Sequence, residues 1–327
     1  MIKKTLGILA MFLVFQSCKM GTSGTFKNEK IDHDIRTQLG LLNNKLFKAL
    51  INSDVVAVKA MMADELLEKA GGGMEKMVTA VSASLSAKDY KILDEYYVKN
   101  SATGIGNTVF SGLSDNDYIV HYLALNKEMY VSLLLPNDTK NELLITVVYG
   151  NYNNQWKINI LQIGQYSLEK KTAPDFYTLA KKSYDKSYLV DAVNYATLAK
   201  QCLKPGGDHF QYQKEEEIDG FYDKVMKEVN TKFKLPLTLE RIGTKPRIFR
   251  IFPQVMSEGI FPAVFYVSSV NLKDTIALKA ENEKVKIEAC KLFTGIEKDK
   301  KAVLYRAFSE LPDGKKEIKN YGFVDKK

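Results

Sequence analysis

The sequence predicts an α+β fold, and three observations carry that expectation. Apolar residues recur at helical spacing from Ile35 to Leu85, short β-branched and aromatic runs follow from Tyr90 to Ile163, and both textures return after Phe233. Between these two mixed regions lies a stretch whose spacing is helical alone. The expected architecture is a set of N-terminal helices against a curved, cone-like antiparallel sheet, an α-helical hairpin linker, and a C-terminal mixed α+β domain.

The elements follow in order. Ile35, Leu39, Leu42, Leu46 and Leu50 lie on one helical face, with Asp32 and Asp34 where acidic residues favour a helix N-terminus. A break is expected at Asn52 to Asp54, after which Val55, Val58 and Met62 continue the pattern. Gly71-Gly72-Gly73 ends this stretch, and Met77, Val78, Val81 and Leu85 resume it. Strands are expected over residues 90–98, 108–113, 118–125, 130–135, 143–149 and 156–163, separated by Asn- and Asp-rich turns such as Ser114-Asp115-Asn116-Asp117.

Ahead of all this, Lys3 and Lys4 precede an uncharged run from Thr5 to Ser17 and then Cys18. The run is too short to span a hydrocarbon core of ~30 Å, which takes about 20 residues. It reads as an export leader. Leu13, Val14, Phe15 and Ser17 before Cys18 resemble a bacterial lipoprotein signal, although Gln16 departs from it. That resemblance implies cleavage after residue 17, acylation of Cys18 and attachment to membrane lipid in the cell envelope, on a periplasmic or outer-membrane face. The following polar segment, residues 18–31, reads as a flexible tether.

Residues 18–327 exceed what one core usually serves, so several units are expected: 32–170, 171–230 and 231–327. The formal charge is +8, from 47 basic and 39 acidic residues, yet only five of the basic residues are arginine. Base and phosphate readout leans on the guanidinium fork, so a nucleic-acid partner is not expected. Lysines suit a surface that tolerates anionic headgroups beneath the tether. His33, His121 and His209 lack zinc-site spacing, and neither a metal nor a cofactor is expected. Cys202 and Cys290 are read as buried free thiols, the alternative being a disulfide between two units.

The order of helices and strands over residues 32–168, ending in Gln155-Trp156-Lys157-Ile158-Asn159-Ile160, resembles the cone-shaped nuclear transport factor two-like superfamily. The resemblance implies an open mouth leading to an apolar cavity, where enzymatic members place an acidic or histidine base beside a tyrosine. Asp94 and Tyr96, read as sharing a strand face with Tyr90, Ile92 and Val98, and His121, with Ile119 and Leu123, are the matching candidates. The plainer alternative makes His121 a hydrogen-bonded structural residue and leaves Asp94 at a wet sheet edge.

Phe176, Leu179, Ala180, Tyr184, Ala192, Ala196, Ala199 and Pro205 follow the spacing of a single tetratricopeptide-like helical hairpin, and a third helix spans 215–229. One copy does not make a solenoid, so the hairpin is expected to act as a spacer. Beyond it, strands are expected over 237–242, 247–252, 263–270, 302–308 and 318–323. Residues 275–293 read as a helix started by Asp274 and ended by Gly295, although Val285, Ile287 and Ala289 also alternate as in a strand. Arg241, Arg247, Arg250 and Arg306 gather in this region. They are candidates for holding an anionic group, against the reading that Glu240, Glu258 and Glu310 pair with them at the surface.

Together these readings favour a membrane-anchored, non-catalytic binding or accessory protein that meets an envelope protein or a small apolar ligand. An isomerase- or hydrolase-type enzyme working in the cone and a purely structural envelope component are the alternatives.

Overall fold

Asp32 opens the first long helix, its carboxylate accepting hydrogen bonds from the backbone N–H groups of Asp34 and Ile35. Such caps contribute about 1 kcal/mol. The computed structural model describes residues 23–137 and 139–327. The leader and Cys18 lie outside the described residues. Helix α1 (His33–Ile51) is followed, after the expected break, by α2 (Val55–Ala60), capped by Asp54, and by α3 (Asp64–Ala70) and α4 (Gly73–Ser84). Leu39, Leu46, Leu50, Val58 and Val78 form their buried face.

Part of the expected tether is structured. Gly24–Lys27 forms strand β1, paired antiparallel with β2 (Tyr90–Lys99). The segment is polar because β1 is an edge strand whose contribution is mainly backbone pairing, and polarity alone does not distinguish such an edge from a coil.

Strands β3 (Gly106–Phe110), β4 (Tyr118–Leu123), β5 (Glu128–Pro136), β6 (Glu142–Tyr152) and β7 (Gln155–Ser167) complete this unit. The main sheet has the order β1-β2-β5-β6-β7, antiparallel throughout. One face receives helices α1 to α4 through Tyr130, Leu134, Ile145, Val147 and Tyr149. The other face carries Met129, Val131, Leu133, Leu135 and Val148. Strand β5 is therefore buried on both faces, which is why its sequence is nearly continuous in apolar residues.

What covers that second face overturns the open cavity implied by the cone resemblance. Helices α5 (Ala173–Asp185) and α6 (Leu189–Gln201) lay Phe176, Tyr177, Leu198 and Cys202 into the same core as Tyr96, Tyr118 and Tyr122. Strand β8 (Phe210–Tyr212) follows the hairpin and pairs with β4 in a small β3-β4-β8 sheet. Phe210 stacks on Tyr118 at 4.5 Å between ring centroids. The hairpin is thus a packed wall of the first core rather than a spacer. Small residues at Ala180, Ala192, Ala196 and Ala199 are fully or nearly fully buried on α5 and α6, and α7 (Glu215–Lys232) joins them through Ile218 and Val225.

In the C-terminal unit, β9 (Leu237–Thr238), β10 (Arg247–Met256), β11 (Gly259–Val267), β12 (Ala302–Phe308) and β13 (Asn320–Lys326) form a sheet of order β13-β12-β11-β10-β9. Strands β11 and β12 are parallel and joined through α8 (Thr275–Leu292). The ambiguous 275–293 segment is a helix: Asp274 accepts from the Ala277 N–H, Leu278, Val285 and Ala289 are buried, and Ile276 and Ile287 face water. Beyond it, Gly295 has φ +93° and lies so close to Tyr188 that an added Cβ would overlap the ring. Cys202 and Cys290 are free thiols, the first buried and the second half-buried. Among the described residues no helix is long and apolar enough to cross a membrane.

Candidate functional site

The face assignment made for β2 fails at one residue. Ile92 pairs with Leu134 and Asp94 with Leu133, leaving Leu93 as a bulge that reverses the alternation. Tyr90 consequently packs on the α1 side, whereas Asp94, Tyr96 and Val98 point to the core shared with α5 and α6. There the Asp94 carboxylate is fully partnered. Its Oδ2 accepts from Tyr118 Oη at 2.6 Å and Tyr96 Oη at 3.2 Å, and its Oδ1 accepts from Asn28 Nδ2 at 2.9 Å and lies 3.0 Å from Lys27 Nζ. Burial, followed by the Asp94 charge, pushes the Tyr96 phenol far above its ordinary range. For Tyr118 burial is again the first cause, with Tyr96 and Asp94 adding to it. These hydroxyls are held as donors, and the cluster locks β1, β2 and β4 together.

Glu95, the next residue, faces the opposite way. It receives the Arg36 guanidinium and a 2.7 Å hydrogen bond from Tyr130. Consecutive acidic residues thus anchor two different layers.

His121 does not join Asp94 and Tyr96. Along β4, Tyr118, Val120 and Tyr122 are buried, so His121 points to the outer side of the small sheet. Its Nε2 lies 2.9 Å from Gln211 Oε1, and its carbonyl accepts from His209 Nδ1 at 2.9 Å. The acid/base trio expected from the cone resemblance is not assembled, because Tyr118 and His121 stand three positions apart and alternation puts them on opposite faces. Tyr118 is the partner that sequence reasoning missed. Its strand was legible, but the pairing that brings it to Asp94 joins segments remote in sequence.

The four C-terminal arginines divide. Arg241 lies 3.9 Å from Glu288. The acidic residues expected to pair with the others are engaged elsewhere: Glu240 with Lys245, Glu310 with Lys316, and Glu258 with Ser257. Arg247, at the far end of β10, is exposed. Arg250 and Arg306 instead stand in one cross-strand row, in which Arg250 pairs with Phe265, Phe265 with Arg306, and Arg306 with Gly322. The row lies on the sheet face turned away from α8. Arg250 sits 4.4 Å from the Phe252 ring and Arg306 5.4 Å from Phe265. Phe265 contacts Phe252 at 4.9 Å and Phe308 at 5.1 Å between centroids. Among the described residues neither guanidinium has a carboxylate within ion-pair distance.

The result is an aromatic platform edged by two cations. A groove of about 250 Å³ runs along its Arg306 side, lined by Gln254, Met256, Phe265, Leu304, Arg306 and Val324. Gly322 opposite Arg306 adds no side chain to fill it. Comparison with known protein families, curated proteins and solved structures found no match for this chain.

Proposed function

We propose that this chain is a lipid-anchored protein of the bacterial cell envelope that acts as a non-catalytic binding or accessory module, presenting the open face of its C-terminal sheet to an acidic partner. The observation that carries this reading is that Arg250, over Phe252, and Arg306, over Phe265, flank Phe265 in one cross-strand row, with no carboxylate of the described chain within ion-pair distance. Cations held over aromatic rings at a half-exposed face are pre-organised for an anionic surface. Acylation at Cys18, followed by a tether shortened by β1, holds that surface near the membrane. The order of helices and strands in residues 32–168 supports a member of the nuclear transport factor two-like superfamily whose cavity has been filled, and the α5–α6 pair supports a single tetratricopeptide-like hairpin. Filling of that cavity, with Asp94 fully bonded, weighs against the enzyme alternative in the cone.

The test uses the anchored protein in its own envelope. A photo-crosslinking residue at Val324, which is 60% exposed on the groove, is expected to capture a discrete partner. Arg250→Glu with Arg306→Glu is expected to abolish that capture. An absence of any adduct at 324, or an adduct indifferent to the charge reversal, would sink the reading. Cys18→Ala tests the anchor separately, by loss of acyl mass and of membrane partitioning.

A further inference from the structure

Helical spacing puts Asp191, Asn194 and Tyr195 on one stripe of α6, and that stripe walls a cleft of about 250 Å³ between the helical hairpin and the C-terminal unit. The start of β11 closes it with Phe261, and the segment before β12 contributes Lys300. Asp191 is 2% exposed. Its Oδ2 accepts a 2.6 Å bond from Lys300 Nζ, whereas its Oδ1 is buried and has no hydrogen-bond partner among the described residues. Asn194, one turn further along and 6% exposed, makes no side-chain hydrogen bond among the described residues. Glu169 Oε1, on the rim of the same cleft, is a second buried orphan acceptor.

Buried polar atoms nearly always find partners, and leaving one unpaired is costly. Asp191 Oδ1 and Glu169 Oε1, two such acceptors in the lining of one cleft, are the signature of groups kept for a ligand. We propose that this cleft binds a neutral hydroxylated ring of monosaccharide size, which donates to Asp191 Oδ1, exchanges hydrogen bonds with the Asn194 amide and lays an apolar face on Phe261. The chemistry follows from the donor set. Asp191 Oδ1 only accepts, while the amide of Asn194 both donates and accepts. The ligand must therefore carry both kinds of group close together, as vicinal hydroxyls do. Glu169, Asp191, Glu258 and Asp299 stand against Lys171, Lys300 and Lys301 in the lining, which leaves little net charge for a cation, and Lys300 Nζ already holds the other oxygen of Asp191. The volume, just under the ~300–1,000 Å³ usual for small-molecule pockets, suits a single ring. This site is separate from the C-terminal sheet face and stands or falls independently of it.

Calorimetric titration of the full chain with glucose, galactose, mannose and N-acetylglucosamine tests the proposal, with ethanolamine as the cationic probe. Saturable binding of at least one sugar is expected at millimolar concentration. Asn194→Leu is expected to weaken it by about tenfold or more, while thermal stability stays level or rises, because the amide has no protein partner to lose. A merely structural Asn194 would show the opposite pattern. Should Asn194→Leu not fold, Asp191→Asn turns the orphan acceptor into a donor and is expected to cause the same loss. Failure of all four sugars to bind, binding unchanged in the folded variant, or binding of ethanolamine alone would overturn the proposal.

Discussion

Tyr118 donates a 2.6 Å hydrogen bond to Oδ2 of Asp94, tying β4 of the small sheet to β2 of the large one. Tyr96 and Lys27 share the same carboxylate, so its removal leaves two buried hydroxyls without that acceptor and Lys27 with only the Ser111 carbonyl. Asp94→Ala is therefore expected to cost about 3–5 kcal/mol, the usual consequence of removing one member of a buried charged network. Urea denaturation followed by tryptophan fluorescence and circular dichroism measures it. A loss under ~1 kcal/mol would mean that the network is not structural.

Glu142 joins the two ends of the β6–β7 pair to the chain beyond. Its Oε1 accepts from Lys170 at 2.8 Å and its Oε2 from Ser167 at 2.6 Å. Burial alone would raise its pKa, but Lys170, Ser167 and Lys91 outweigh it and hold the carboxyl below its ordinary value of 4.5. A folded-state pKa below the unfolded one contributes stability above the unfolded value and loses it as pH falls through the folded one. Wild type is thus expected to exceed Glu142→Gln in stability at pH 6 and to converge with it below about pH 4.5. Denaturation midpoints of both proteins across that window check the sign; a gap that widens on acidification would contradict it.

Gly295 combines a positive φ with a close approach to Tyr188, where the C-terminal unit meets the start of α6. An alanine there costs ~1–2 kcal/mol in backbone conformation, and displacing the ring adds roughly 1–3 kcal/mol. Gly295→Ala is expected to lower the melting temperature by several degrees. Gly243→Ala, where a Cβ meets open space, serves as the control and is expected to be near neutral.

Cys202 is enclosed in the first core, and burial pushes its thiol up to about 12. The thiolate is the reactive form, so iodoacetamide at pH 8 is expected to leave Cys202 untouched in the native protein and to modify it once denaturant is added. Cys290, half-buried on α8, is also raised, first by burial and then by Glu297. Intact mass with and without reductant is expected to be the same, as the two thiols are unpaired. A mass rise of two hydrogens on reduction would restore the alternative of a disulfide.

Much of the fold was legible because local patterns carry it. Asp32 and Asp274 announce helices and cap them, the apolar period from Leu39 to Leu50 is the buried face of α1, and the strands at 90–98, 130–135 and 302–308 stand where their β-branched and aromatic runs placed them. Strand β1 and strand β8 were not legible. Both are short, and the partners that make them strands lie far away, at Tyr96 to Lys99 and at Tyr118 to Val120.

The candidate sites divide in the same way. Sequence alone placed the four arginines in one region and read the strands on which Asp94, Tyr96 and His121 stand, since composition and periodicity are properties of neighbours along the chain. Tertiary structure alone decided that Leu93 bulges and sends Asp94 to Tyr118 instead of His121, that the hairpin fills the expected cavity, and that Arg250 and Arg306 flank Phe265. It also decided that Asp191 keeps one oxygen without a partner. Each of these depends on the register and packing of segments distant in sequence, and a single bulged residue reverses every face beyond it.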